Sequence, residues 1–143
     1  MKKMILAVMY AVALVPLNEN SGWQNLKYSK LPPNNTTFKD AQVEVKVKDS
    51  ASPLIYPFKE AKMVTEVRVK GWLSSKLNLP EGKLQGSRGI DDFTLRVGLV
   101  TKGKRTLNFF QKAISPKWVK TLFNLAPEGV GIGKIHFYNA VQR

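Results

Sequence analysis

Short runs in which apolar and polar residues alternate recur along this chain, separated by turn-forming residues. In AQVEVKVKDS, Val43, Val45 and Val47 alternate with polar neighbours. A period of two places successive side chains on opposite faces and predicts a strand with one buried face. Ser50 to Pro53 then interrupts the pattern, as a turn does.

A second alternating run is KMVTEVRVKGW, residues 62–72. Val67 and Val69 fall on one side, whereas Arg68 and Lys70 fall on the other, which predicts another strand. Continued in the same register, this strand would present Trp72 on its polar side.

The run GIDDFTLRVGLV contains the strongest strand pattern, from Phe93 to Val100. Thr101 to Lys104 is predicted as a turn that leads to a further strand at Arg105 to Phe109. The run KIHFYNAVQ predicts a last strand close to Arg143, and GVGIG before it is interpreted as a hinge. Because the last strand runs almost to the end, we expect the natural chain to extend beyond Arg143.

One stretch has helical spacing instead. Trp118, Val119, Leu122 and Phe123 recur at intervals of three and four residues, which predicts one short helix near residues 115–125. Ser115 suits the N-cap and Pro116 the first helical position.

Several short strands with regular turns and one short helix predict a mainly β protein, an antiparallel β-sandwich of which the jelly roll is one form. A parallel α/β fold would require helical patterns between the strands.

The N-terminus has the composition of an export signal. Lys2 and Lys3 precede an apolar run from Met4 to Leu17. This run is shorter than the ~20 residues that a permanent transmembrane helix needs, and it matches the apolar region of a secretory signal. We therefore expect residues 1–17 to be a signal segment, residues 18–143 to form a single domain without a transmembrane span, and the protein to be secreted or periplasmic.

The overall charge is strongly basic, with 23 lysines and arginines against 10 acidic residues and a net charge of +13. The basic residues are spread out, which is typical of a solvated surface or of attraction to anionic polymers and membrane surfaces. Nucleic acid is not an expected partner of an exported protein. The chain has no cysteine, which excludes disulfides and cysteine-based metal sites.

The order of the motifs resembles that of a known family. The segments SASPLIY, GIDDFTLRVGLV, KRTLN, WVKTLFNLAP and IHFYN are together similar to a family of uncharacterised secreted proteins of Gram-negative proteobacteria, a domain of unknown function with a β-sandwich-like core. The similarity covers most of the chain after Asn18. It implies export and a sandwich fold, but no activity.

Asp91 and Asp92 are adjacent acidic residues in a basic chain. Neighbours on a strand point to opposite faces, so their carboxylates do not converge as a catalytic pair would. The predicted role is structural, with Asp92 paired to Arg96 and Asp91 capping loop N–H groups of Gly86 to Gly89. A calcium site and a role in sugar binding are the alternatives.

The single histidine, His136, is expected to share a strand face with Tyr138. One histidine cannot form a multi-histidine metal site, and a general base would need an orienting carboxylate and a nucleophile. A surface or structural role is expected, with a place in a ligand-binding surface as the alternative.

Trp72 is the most suggestive aromatic residue. If exposed beside Arg68, its ring could stack on a sugar or anchor a protein interface. If instead the strand ends or bulges before Trp72, the ring turns into the core.

These observations favour a non-enzymatic exported binding module, with Trp72, Arg68, Tyr138 and His136 as candidate ligand-binding residues. A glycan, an anionic polymer or membrane surface, or an envelope protein is the expected partner. Apart from calcium, no cofactor is expected.

Overall fold

The computed structural model describes residues 14–90 and 92–142. Most of the predicted signal segment, residues 1–17, lies outside this part of the chain, and its export role stays a prediction. The chain divides into two units, Met1–Pro57 and Phe58–Arg143.

The first unit is built around a hairpin. Strand β2 (Asn35–Lys39) pairs antiparallel with β3 (Gln42–Lys46). Asp40 and Ala41 between them both have positive φ, which is typical of the tight turns whose twist matches that of the flanking strands. The predicted strand at Val43 to Val47 is thus confirmed over Gln42–Lys46, but its predicted buried face is wrong, since Val45 and Val47 are exposed.

Two very short strands complete this unit, together with a 3-10 turn at Glu19–Ser21. β1 (Gln24–Asn25) pairs antiparallel with β4 (Leu54–Ile55). Leu26, which follows β1, is buried, and its N–H donates to the Pro53 carbonyl at 2.9 Å.

Trp23 organises the aromatic side chains of the first unit. Its ring centroid lies 5.3 Å from that of Tyr56 and 6.2 Å from that of Phe38. Its indole Nε1 donates to the Pro16 carbonyl at 2.7 Å. The partly buried ring therefore packs against aromatic neighbours while its N–H has a hydrogen-bond acceptor.

The second unit contains the longest strands. β5 (Arg96–Gly103) pairs antiparallel with β6 (Gly131–Asn139), with an irregularity between Val100 and Lys102. Ile132 on β6 is buried. β5 and β6 have the expected lengths but are shifted by three residues. β5 begins and ends later than predicted because the predicted turn after Val100 takes part in the pairing, and β6 begins and ends earlier because part of the predicted hinge at GVGIG does.

The predicted strand at Arg105 to Phe109 is wrong. Only Arg105 makes an isolated β-bridge, to Ile132, and the chain then enters helix α1 (Phe109–Ile114). Asn108 caps this helix, since its side chain accepts from the Gln111 N–H and the Gln111 side chain accepts from the Asn108 N–H. This reciprocal capping satisfies two N–H groups that would otherwise lack partners.

The predicted helix is confirmed as α2 (Lys117–Asn124), although its start differs. Pro116 is the N-cap, and Ser115, expected in that position, ends α1. In the described part of the chain, no helix has the length and apolar character required to span a membrane.

The segment that contains Trp72 is irregular, which overturns the strand predicted for residues 62–72. The β-ladders among the described residues join β1 to β4, β2 to β3 and β5 to β6. Residues 62–72 alternate, but no neighbouring strand offers them hydrogen bonds, and a strand exists only where its backbone groups are paired.

The predicted antiparallel β-sandwich, including its jelly-roll form, is also wrong. Each sheet among the described residues has two strands and none is closed, whereas a sandwich stacks two sheets of several strands each. Of the described residues, 25% lie in strands and 13% in helices. The structure is therefore mainly β only in the loose sense that more residues lie in strands than in helices.

Candidate functional site

Gln142 joins the irregular segment before Leu77 to the end of β6. The Leu77 N–H donates to Gln142 Oε1 at 2.7 Å, and Gln142 Nε2 donates to the Leu77 carbonyl at 2.9 Å. This amide side chain reproduces the two hydrogen bonds that a neighbouring strand would offer. The irregular segment is thereby held beside β6 without being part of a sheet.

Gln85 extends this connection to the loop before β5. Its Oε1 accepts from the Gln142 N–H at 2.6 Å, and its Nε2 donates to the Asp92 carbonyl at 2.8 Å. Gln85 and Gln142 together therefore fix three segments that are distant in sequence.

A shallow depression of about 420 Å³ lies where these segments meet. Its lining combines hydroxyl groups, one ammonium group and small apolar surfaces. The lining residues are Leu73, Ser74, Ser75, Lys76, Thr94, Ala140, Val141 and Gln142. Because the Gln142 amide is already bonded to Leu77, the hydroxyls of Ser74, Ser75 and Thr94 are the groups suited to hydrogen-bond a ligand.

Trp72 immediately precedes in sequence Leu73, the first residue of this lining, and it is 77% exposed. The alternative in which the ring turns into the core is therefore not realised. The physical reason differs from the one predicted, since Trp72 is exposed on an irregular segment and not on the polar face of a strand.

Arg68 lies four residues earlier in the same irregular segment. It is exposed and forms an ion pair with Glu66. An exposed pair of this kind stabilises little, and the contacts of Arg68 do not join it to the depression. Its inclusion in a ligand-binding surface stays a prediction.

Tyr138 and His136 share one face of β6, as expected. Tyr138 lies opposite Val97 and His136 opposite Leu99 on β5. The pairing continues past β6, because the Ala140 N–H donates to the Leu95 carbonyl at 2.9 Å. Tyr138, two residues before Ala140, is therefore the aromatic residue of β6 nearer to the depression, and His136 lies one pleat farther away.

The opposite face of the sheet carries a cluster that the sequence analysis missed. The Arg96 guanidinium lies 5.1 Å from the Phe93 ring centroid and 5.4 Å from that of Phe137. Arg96 Nε also donates to Asn139 Oδ1 at 2.8 Å. Gly98, opposite Phe137, leaves room for that ring, since a Cβ there would lie 3.1 Å from Phe137 Cε1. Only the strand register brings these residues together.

Asp91 lies outside the described residues, so its predicted capping role is not addressed. One N–H group of the loop that Asp91 was expected to cap has a backbone acceptor, because the Gly86 N–H donates to the Ile90 carbonyl at 2.6 Å. The ion pairs within residues 14–90 and 92–142 are Lys46 with Glu44 and Arg68 with Glu66. The pairing expected between Asp92 and Arg96 stays a prediction.

The calcium alternative receives no support from the arrangement of carboxylates. Within the described residues, no three or more acidic, histidine or cysteine side chains come together in a way that could hold a metal ion. Calcium takes six to eight oxygen ligands. A calcium site therefore stays a prediction from the sequence.

Comparison of the chain with protein-family models, with curated proteins and with solved structures found no match.

Proposed function

We propose that this chain is a non-enzymatic exported binding module that takes a glycan in the depression beside Trp72. The observation that carries this proposal is the exposure of Trp72, which directly precedes in sequence the residues Leu73, Ser74 and Ser75 that line the depression. An aromatic ring stacks against the C–H face of a sugar, while nearby hydroxyl groups bond to its hydroxyls.

The size of the depression supports a small ligand. At about 420 Å³ it falls within the range of roughly 300 to 1,000 Å³ that is typical of small-molecule sites. It is open, so one or two sugar residues of a longer glycan could occupy it while the remainder extends over the surface. Tyr138 on β6 is a second exposed aromatic residue that such an extension could contact.

The composition of the lining favours binding over hydrolysis. Enzymes that cleave glycosidic bonds use two carboxyl groups on either side of the scissile bond. The described residues that line this depression carry hydroxyl, amide, ammonium and apolar side chains. They suit recognition, and His136 lies farther along β6.

The proposed location, secreted or periplasmic, rests on the N-terminal sequence. Lys2 and Lys3 followed by the apolar run to Leu17 are typical of an export signal. Glycans of the cell envelope would be accessible there.

The test is a binding screen of the chain against soluble glycans and anionic polymers at about 0.1 M and about 1 M salt. At the higher salt concentration, attraction between charges more than about 3 Å apart is largely screened. We expect saturable glycan binding at both salt levels, and a loss of about tenfold to a hundredfold in affinity for Trp72→Ala.

Phe109→Ala is the matched control, because Phe109 is also an exposed aromatic residue but belongs to α1. It should bind as the parent chain does. Binding only to anionic polymers, abolished at high salt and indifferent to Trp72→Ala, would reject the glycan proposal in favour of charge. A lack of glycan binding by the parent chain would reject it as well.

A further inference from the structure

Helix α1 exposes a large apolar surface. Phe109, Phe110 and Ile114 are 81%, 77% and 84% exposed. The two phenylalanine rings contact each other edge to face, with centroids 5.8 Å apart. Exposed aromatic residues that cluster in this way mark interaction surfaces more often than single exposed apolar residues do.

The helical period gathers these residues on one side. At about 100° per residue, Phe109, Phe110, Ala113 and Ile114 span an arc of roughly 140°, and Gln111 and Lys112 occupy the opposite side. All six residues of α1 are exposed, so the apolar arc faces solvent. We call this arc the α1 apolar face.

All charged residues in the segment around α1 are basic. Between Asp92 and Glu128 the sequence contains no acidic residue, and its basic residues are Arg96, Lys102, Lys104, Arg105, Lys112, Lys117 and Lys120. Such a run attracts an anionic surface.

Two of these basic residues line the same depression. Arg105 and Lys112 line a depression of about 170 Å³, together with Thr106, Asn124 and apolar residues of α2 and the loops beside it. Guanidinium, ammonium, hydroxyl and amide groups are donors suited to phosphate oxygens. A phosphate-bearing headgroup is the chemistry that this depression matches.

We propose that the α1 apolar face docks on an anionic phospholipid bilayer. Phe109, Phe110 and Ile114 would enter the boundary between headgroups and acyl chains, and the surrounding lysines and arginines would bind lipid phosphates. This is how amphipathic helices with aromatic residues on one face and basic residues around them associate with membranes. The surface is separate in sequence from the glycan site, so either proposal can fail without the other.

Because the chain has no cysteine, a single environment-sensitive fluorophore can be placed on this face. Ala113→Cys puts the label within the α1 apolar face while Phe109, Phe110 and Ile114 remain. Ala61→Cys is the control, since Ala61 is also exposed and belongs to the same unit. With vesicles of phosphatidylcholine and phosphatidylglycerol, we expect a blue shift at position 113 and none at position 61. Vesicles of phosphatidylcholine alone should leave both labels unchanged.

The apolar and basic contributions are then separated in the labelled chain. Phe109→Gln with Phe110→Gln should weaken the binding that the label reports by about tenfold or more for the pair, because burial of each ring in the interface is lost. Lys104→Gln with Lys117→Gln should weaken it further at low salt. Ile114→Gln alone should give a smaller loss and serves as the test if the double phenylalanine variant loses helical circular dichroism.

The local label also distinguishes α1 from the apolar N-terminal segment, because binding through that segment alone would leave position 113 in water. An unshifted label on anionic vesicles would overturn the proposal. An equal shift on neutral vesicles, or an unchanged response in both the phenylalanine variant and Ile114→Gln, would overturn it too. A shift produced equally by a soluble anionic polymer would assign the surface to polymers.

Discussion

At the scale of single residues, backbone proximity determines which side chains β5 and β6 can carry where they meet. A Cβ at Gly131 would lie 2.7 Å from the Gly103 carbonyl oxygen and 2.8 Å from that of Arg105. Real Cβ atoms do not approach backbone oxygens so closely, and backbone cannot swing aside as a side chain can. Glycine is therefore required at position 131 for close approach of the chains.

Gly131→Ala should consequently lower the free energy of unfolding by about 1 to 3 kcal/mol, the usual cost of forcing extra atoms into a packed region. Urea denaturation of the two proteins gives the difference. Gly71→Ala is the control, because a Cβ there has no neighbour within 4 Å. If both variants unfold at the same urea concentration, the close approach of β5 and β6 is incorrect.

Residue identity alone predicted part of the site. Of the two alternatives that the sequence left open for Trp72, the structure shows the exposed ring, whereas Ser74, Ser75 and Thr94 gave no signal in the sequence. Hydroxyl residues are common on protein surfaces, and only the hydrogen bonds of Gln142 and Gln85 bring these together. Arg96 between Phe93 and Phe137 was missed for the same reason, since it depends on the pairing of Gly98 with Phe137.

At the scale of elements, a period of two was a good guide where a partner strand existed. It located β3, most of β5 and most of β6, but it failed at residues 62–72, where the alternating residues have no partner. It also missed α1, although Asn108 followed three residues later by Gln111 is a readable helix start. Alternation reports which side chains could face a core, and it does not report whether another strand offers hydrogen bonds.

Gln142 takes over the role of a partner strand for the segment before Leu77. Gln142→Ala should therefore release residues 73–77, with faster hydrogen exchange at the Leu77 amide and weaker glycan binding by about tenfold, since ordering the segment then costs binding energy.

Gln24→Ala is a suitable control for that experiment, because Gln24 is exposed and its side chain bonds only locally, to the Gly22 carbonyl. Hydrogen exchange at Leu77 that is unaltered in Gln142→Ala would mean that the amide does not hold this segment.

At the scale of the whole molecule, the sandwich prediction failed because strand patterns do not specify pairing. Two-stranded sheets have few neighbours against which to bury side chains. Among the described residues, Leu26 and Ile132 are the apolar side chains classed as buried. Many large apolar residues consequently remain exposed, and the two proposed surfaces, beside Trp72 and on α1, belong to that set.

The most direct test of the glycan proposal follows the indole N–H signals of the ¹⁵N-labelled chain by NMR during titration with soluble envelope oligosaccharides. The chain has three tryptophans, so Trp72→Phe identifies the Trp72 signal by its disappearance. Glycan binding in the depression predicts a saturable shift of the Trp72 signal, with the signals of Trp23 and Trp118 unmoved. A Trp72 signal that no oligosaccharide shifts, or a shift confined to Trp23 or Trp118, would contradict it.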